Sequence, residues 1–406
     1  MRSYFKEFFD SKLFFVVVAV VGIGLLSIYS ATYDVRAAVN FKRQLVFAGF
    51  GFVFMLAAWL VPLKTLQRLS FIAYGLTLAI LLFVLVYGAT HKGAKSWFEL
   101  MQGFGGQPSE FAKITTVLAA ASYFSQSSVN IANLKHFLTG VCIFIVPMGL
   151  ILAQPDLGTT IVFFIALLPL LYWAGVSNFT LIALIVPILV AGGALFGTAQ
   201  FLGAAAIGAA LLYYFRENRF AAVAAFGITL ALGLTVQIMY ERLAPYQQKR
   251  ISTFLNPEAD LQGAGYNVFQ SKIAIGSGGL LGKGYLHGTQ TQLNYIPEQW
   301  TDFIFCVPGE EFGFVGASVV LLLLFTLLFH GVNLAAQSKN RYGSIVAIGF
   351  TGIWAAHIII NTGMAMALLP VIGIPLPFMS YGGSSLIANM IMAGILMNVY
   401  SNRKAY

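Results

Sequence analysis

Residues 13–30 read LFFVVVAVVGIGLLSIYS, an unbroken apolar run with no charged side chain. A bilayer core takes about 20 mostly apolar residues in a helix, so this stretch is long enough to cross one with its flanks. It follows Arg2, Lys6 and Lys12, as the hydrophobic part of a signal peptide does. No small-residue cleavage site follows, and more such runs do, so it reads as a first retained helix. Working outward, further apolar runs begin near Leu45, Phe71, Phe111, Phe137, Gly158, Leu181, Leu202, Phe220, Phe312, Ile345 and Leu386, making twelve. Two of these, Leu181–Phe196 and Leu202–Phe215, are short and nearly continuous. They either span twice or form a shallow hairpin. Both readings leave the sidedness of everything downstream unchanged.

Composition agrees. Of 406 residues, 59% are hydrophobic and 9% charged, against about 25% charged in a soluble domain. So much apolar surface cannot be hidden in a water-soluble core. The 41 Gly suit helices packed closely in a membrane. The net charge of +9 is spread through short segments between apolar runs, which speaks for topogenic charge and acidic headgroups and against nucleic acid. The expected fold is therefore an all-α polytopic membrane protein of 10–12 transmembrane helices in one domain, 1–406. Its one large polar loop spans residues 241–307.

Lys and Arg in short loops set orientation. With the N-terminus inside, the inner segments hold Arg2, Lys6, Lys12, Lys64, Arg68, Lys135, Arg216, Arg219, Lys339, Arg341, Arg403 and Lys404, against only Glu7, Asp10 and Glu217. The outer side has as many acids as bases. Both termini are then cytoplasmic, and the 241–307 loop lies outside with the shorter segment 91–108.

Ionised groups are expensive near a bilayer, at about 2.5–3.5 kcal/mol at the centre of a helix even on insertion scales, and three places invite a reason. In Gln107-Pro108-Ser109-Glu110-Phe111-Ala112-Lys113, a helix start puts Glu110 and Lys113 on one face. They form either a local ion pair or a charged cavity wall whose Lys113 meets an anion. In Gln154-Pro155-Asp156-Leu157-Gly158-Thr159, Asp156 either caps the next helix or faces the same cavity. In Thr301-Asp302-Phe303-Ile304-Phe305, followed by Glu310-Glu311, Asp302 stands among aromatic and branched residues where the loop returns to the membrane. Desolvation there would raise its pKa towards that of a general base; the alternative is a structural acceptor. Glu310 and Glu311 would bind a divalent cation or cap the next helix.

Other motifs fail. The stretch 276–284 resembles a phosphate loop, but Ser277 stands where Gly is needed and Gly284 follows Lys283, so it reads as a flexible turn. The five His have no metal-ligand spacing, and Cys142 and Cys306 make neither a disulfide nor a metal motif.

In this order, these motifs together with Ser380-Tyr381-Gly382-Gly383-Ser384-Ser385 resemble the SEDS family of bacterial cell-wall proteins over nearly the whole chain. Within it, Lys249-Arg250-Ile251 through Asn256-Pro257, and Gly278-Gly279 through Gly288-Thr289-Gln290, are closer to the elongation member RodA than to the division member FtsW. The resemblance implies a peptidoglycan glycosyltransferase that polymerises lipid II, linked to undecaprenyl diphosphate, outside the cytoplasmic membrane. It also implies a class B penicillin-binding protein and the elongation machinery as partners. The family's essential acid falls on Asp302. Substrate contacts would come from Lys113, Glu110, Asp156, Gln154, Lys95, Arg43, Glu310, Glu311 and Ser384. Participation of Mg or Mn is left open, with no other cofactor expected. The chain departs from the family twice: residues 178–219 add a helix pair to the usual ten spans, and Ser96, not Arg, precedes Trp97. The rival classes are a lipid flippase or transporter, an FtsW-like division polymerase and a non-catalytic scaffold.

Overall fold

A computed structural model describes residues 8–33, 37–91, 94–101, 104–242 and 265–404. All twelve apolar runs form helices: α1 Ser11–Ala31, α2 Ala37–Leu60, α3 Leu63–Tyr87, α4 Pro108–Phe124, α5 Leu134–Ala153, α6 Leu157–Ala174, α7 Asn178–Phe196, α8 Thr198–Tyr214, α9 Arg219–Glu241, α13 Gly313–Gln337, α14 Arg341–Ala365 and α15 Gly383–Ser401. Between α9 and α13 lie α10 Tyr266–Ser277 and the short α11 Thr289–Gln292 and α12 Cys306–Glu311. Ten of the helices are long and apolar enough to cross a bilayer. The other two, α4 and α8, have 17 residues each. Among the described residues, the one addition to the helices is a ribbon of three antiparallel strands between α3 and α4, β1 Ala89–His91, β2 Ala94–Met101 and β3 Phe104–Gly106, in that order.

The chain divides into two compact units, Met1–Leu170 with Gln270–Tyr406, and Leu171–Phe269. In the first, α14 is the central element: 89% of its most apolar window is buried, against 17% for α3. A helix surrounded by other helices can carry polar side chains where a lipid-facing one cannot. Accordingly Ser344, Thr351, His357, Asn361 and Thr362 are all buried on α14. Trp354 donates from Nε1 to Asn389 Oδ1 of α15 at 2.8 Å. Asn398 on α15 reaches back to the Trp59 and Val61 carbonyls that end α2.

The second unit contains the pair within residues 178–219. The helices α7 and α8 fold back on each other about Gly197, whose φ of 120° is open to glycine and strained for other residues. Gly208 of α8 lies against Val186 of α7, and Gly193 against Ala204, which is the register of an antiparallel hairpin. Val186, Val190, Phe201, Ala205 and Leu212 form the core, with Ala225, Phe226 and Leu230 of α9 packed on it. Gly197→Ala is expected to destabilise this hairpin by about 1–3 kcal/mol, the cost of one strained backbone position. Gly192→Ala, mid-helix with open space around it, should not. Melting temperatures of the two purified variants check this contrast.

The glycine-rich stretch 276–284 is not a free turn. The amides of Lys283 and Gly284 donate to the Glu310 and Glu311 carbonyls at 3.1 and 2.9 Å, and Phe314 N–H donates to Gly279 at 2.8 Å. A Cβ on Gly282 would lie 2.1 Å from the Glu311 carbonyl oxygen. Glycine is used here for close backbone approach, which is why the segment resembled a phosphate loop.

Candidate active site

Three turns on different helices converge on one strap, residues 366–382, that joins α14 to α15. The first is the start of α4. Pro108 opens the helix and Glu110 sits in its first turn, where the helix dipole favours an acid. Lys113 lies one turn on, and its Nζ reaches Glu110 Oε1 at 2.9 Å. Both residues are buried, at 1% and 3% exposure. Lys113 Nζ also lies 2.8 Å from His357 Nε2 on α14. His357 Nδ1 is 2.9 Å from the Pro375 carbonyl in the strap. A carbonyl only accepts, so Nδ1 carries the hydrogen. Nε2 is then the acceptor and the lysine donates to it. The local ion-pair reading of Glu110 and Lys113 is therefore what the fold contains. As arranged, Lys113 is enclosed and presents no exposed ammonium.

The second turn joins α5 to α6. Asp156 caps α6, accepting from Thr159 N–H at 3.0 Å and Thr159 Oγ1 at 2.8 Å. Its Oδ2 also accepts from Gln107 Nε2 at 2.9 Å, tying α6 to the start of α4. A Cβ on Gly158 would lie 3.1–3.2 Å from Ile372 and Ile374 of the strap. Gln154 differs from the expectation of a substrate ligand: it is buried, and its amide donates to the Leu81 carbonyl of α3 at 2.8 Å.

The third is the return of the large loop. Phe303, Ile304, Phe305, Cys306 and Val307 are buried to 1% exposure or less, whereas Asp302 just before them is half-buried. The Asp302 carbonyl accepts from Asn361 Nδ2 at 2.8 Å, and the same amide donates to the Ile374 carbonyl at 2.7 Å. Ser380 Oγ donates to the Thr301 carbonyl at 2.6 Å and accepts from Leu376 N–H at 2.7 Å. Tyr381 N–H donates to the Trp300 carbonyl at 2.9 Å. Gly373 comes close enough that a Cβ there would lie 3.3 Å from Asp302 Oδ2. The strap is thus stitched to the backbone of residues 300–302, and the carboxyl group sits at its edge.

The remaining predicted residues divide. Arg43 is exposed on α2, next to Gln44. Gln44 clamps the far end of the strap through Ser380 and Gly382, both at 3.2 Å. Ser384 is half-buried in the first turn of α15. Lys95 has its backbone in β2, and its side chain lies outside what the structure describes. Residues 243–264 of the predicted loop also lie outside the described residues.

Glu310 and Glu311 join a separate cluster. Glu310 is fully buried, and its oxygens accept from Lys283 Nζ at 2.7 Å, Thr289 Oγ1, the Gln290 and Thr291 N–H groups and Thr291 Oγ1. It caps α11, and its oxygens are taken up by protein donors. Glu311 accepts from Ser30 Oγ of α1 and from Leu286 N–H. Among the described residues, no three His, Cys, Asp or Glu side chains converge as metal ligands. Burial pushes the Glu310 carboxyl up, but Lys283 and the Gln290 and Thr291 bonds outweigh it and hold its pKa below 4.5. Burial leaves neighbouring Glu311 above that value. A carboxyl group depressed in the folded state contributes stability above its unfolded pKa, and the contribution is lost as pH falls through the folded one. The melting temperature should therefore fall below about pH 4.5 with an acid limb that Glu310→Gln diminishes.

Sequence reasoning missed His357 and Asn361. Polar residues four apart inside a long apolar run were the available signal, because both then face one way on a helix that cannot be lipid-exposed. The five His had been weighed only for metal-ligand spacing.

The arrangement places the half-exposed Asp302 carboxyl group beside a frame built on the buried Lys113, His357 and Asn361. The model of the FtsW, RodA and SpoVE family, described as a cell cycle protein, matches residues 11–222 and 195–405. The chain belongs to this family. The FtsW/RodA relatives include the peptidoglycan glycosyltransferase RodA of Treponema pallidum, 36% identical over 427 residues, 96% of this chain and 97% of that protein. The peptidoglycan glycosyltransferase MrdB of Escherichia coli K12 is 34% identical over 98% of this chain and 95% of its own. The rod shape determining protein RodA of Thermus thermophilus has a solved structure that matches with a TM-score of 0.66 and 26% identity, covering 98% of each chain. A chain from a structure titled for coordination of polymerization and crosslinking by a peptidoglycan synthase complex matches with a TM-score of 0.75 and 27% identity, covering 98% of this chain and 99% of that one. The two segments matched by the family model overlap at 195–222, across α8 and the start of α9.

Proposed function

We propose that this FtsW/RodA family member is a peptidoglycan glycosyltransferase of the RodA type, which polymerises lipid II into glycan strands at the outer face of the cytoplasmic membrane. The observation that carries this reading is the half-exposed Asp302, whose backbone is held against the strap through Asn361. Near-full-length relatives bearing that activity in their names support it.

Glycosyl transfer needs a sugar hydroxyl to lose its proton as it attacks. Asp302 takes that proton as general base. The diphosphate leaves as a stable anion and needs no acid. Its developing charge needs a fixed cation. Exposed Arg43 is the candidate on a described side chain, with Lys95 a second. Lys113, enclosed by Glu110 and His357, is the weaker candidate for direct contact. Asp156 and Ser384 would line the approach, and the lipid tail would stay in the bilayer between helices. If a divalent cation takes part, the diphosphate oxygens supply much of its coordination; the buried Glu310 is already engaged.

The excess of Lys and Arg on one side supports cytoplasmic termini and an outward-facing Asp302. A class B penicillin-binding protein is the proposed partner, which would crosslink the strands made here. The match to a chain from a synthase complex supports this. Reconstitution of the pure protein with lipid II and that partner tests the reading. Long glycan chains are expected. Lipid II crossing the bilayer without product would instead identify a flippase, and neither outcome a scaffold.

A further inference from the structure

We propose that His357 and Asn361 are positioning residues, which fix the Asp302 carboxyl group by locking the strap beside it to a buried ion pair on α4. This rests on Asp302 being the base.

The two residues sit one turn apart on α14, the most buried long helix, at 3% and 0% exposure. Each makes two bonds that join different segments. His357 bridges Lys113 of α4 to Pro375 of the strap. Asn361 uses both hydrogens of one amide, one to the Asp302 carbonyl and one to Ile374. Its Oδ1 is buried and has no hydrogen-bond partner among the described residues. Its role is therefore as a double donor, with no acceptor function visible. Residues 374 and 375 are thus held side by side, and Gly373 next to them abuts the carboxyl oxygen.

The chain of contacts runs Glu110, Lys113, His357, Pro375, Gly373, Asp302. At its root is an ion pair with almost no access to water. Both ends of His357 must be made together. Without its Nδ1–H the strap carbonyl is unpaired, and without Nε2 the lysine keeps Glu110 as its one described partner. The bridge has the donor–acceptor polarity of a side-chain amide, with an N–H donor at Nδ1 and an acceptor nitrogen at Nε2. Gln can reproduce it and Leu cannot. A catalytic group displaced by about 1 Å can lose about 10²-fold in rate, and this frame governs displacement of that size.

The test uses full-length purified protein with lipid II, comparing kcat, KM and melting temperature. His357→Leu is expected to lower kcat about 10²-fold with KM little changed, and His357→Gln to recover most of the loss. Asn361→Asp is isosteric, removes both donors and should also lower kcat. Wild-type kcat in a folded His357→Leu or Asn361→Asp would overturn the proposal. So would a His357→Gln no better than Leu. If His357→Leu fails to fold, Asn361→Asp and His357→Gln still decide. A wild-type rate in Asp302→Asn would instead overturn the base assignment, which separates the two failures.

Discussion

Asp302→Asn is expected to abolish measurable strand formation from lipid II while leaving the protein folded. A positioned general base contributes roughly 10²–10⁴-fold in rate, and the amide has negligible basicity. The fold should survive because the substitution keeps the backbone bonds at this residue. Its N–H donates to the Glu298 carbonyl, and its carbonyl accepts from Asn361. Asn has the same size, so the close approach of Gly373 is preserved. The measurement is glycan product per folded enzyme, with the melting temperature as control. A variant that polymerises at the normal rate would remove Asp302 from the chemistry.

The second large effect is on stability. Lys113→Met should cost about 3–5 kcal/mol, the usual result of stranding one partner of a buried pair. Glu110 has Oε1 on the lysine and Oε2 buried without a partner among the described residues. Removing the ammonium leaves a carboxyl group in a nearly dry site. The double change Lys113→Met/Glu110→Leu should recover much of that loss, since apolar replacement of a buried pair is often neutral. Yield from membranes and melting temperature would follow that order. If Lys113→Met is as stable as wild type and only slow, Lys113 contacts the substrate diphosphate directly, and its enclosure here belongs to one state of the site.

The two predictions have different origins. Asp302 stands out in the sequence as an acid followed by Phe, Ile and Phe at the end of a long polar loop, where it reads as a general base or as a structural acceptor. Asp156 and Glu110 were legible as helix starts, from Pro and the capping residues around them. The partners were not legible. Lys113 meets His357 across 244 positions of sequence, and Asn361 meets Asp302 across 59. Nothing local to either residue encodes such a meeting. Glu310 could be read as a ligand or a cap of the helix that follows it, and the tertiary structure instead brings Lys283 and the amides of the preceding α11 onto it.

Run length and the placement of Lys and Arg were sufficient to define the twelve helices and an expected sidedness, because a bilayer imposes length and charge limits that act residue by residue. The strand ribbon, the hairpin at Gly197 and the pinning of the glycine-rich segment required the tertiary structure. So did the enclosure of Lys113 and the frame around Asp302. In each case the deciding energy is a contact between segments far apart in the chain, and a polar side chain in an apolar run becomes a positioning group only once the helix bearing it is known to be the buried one.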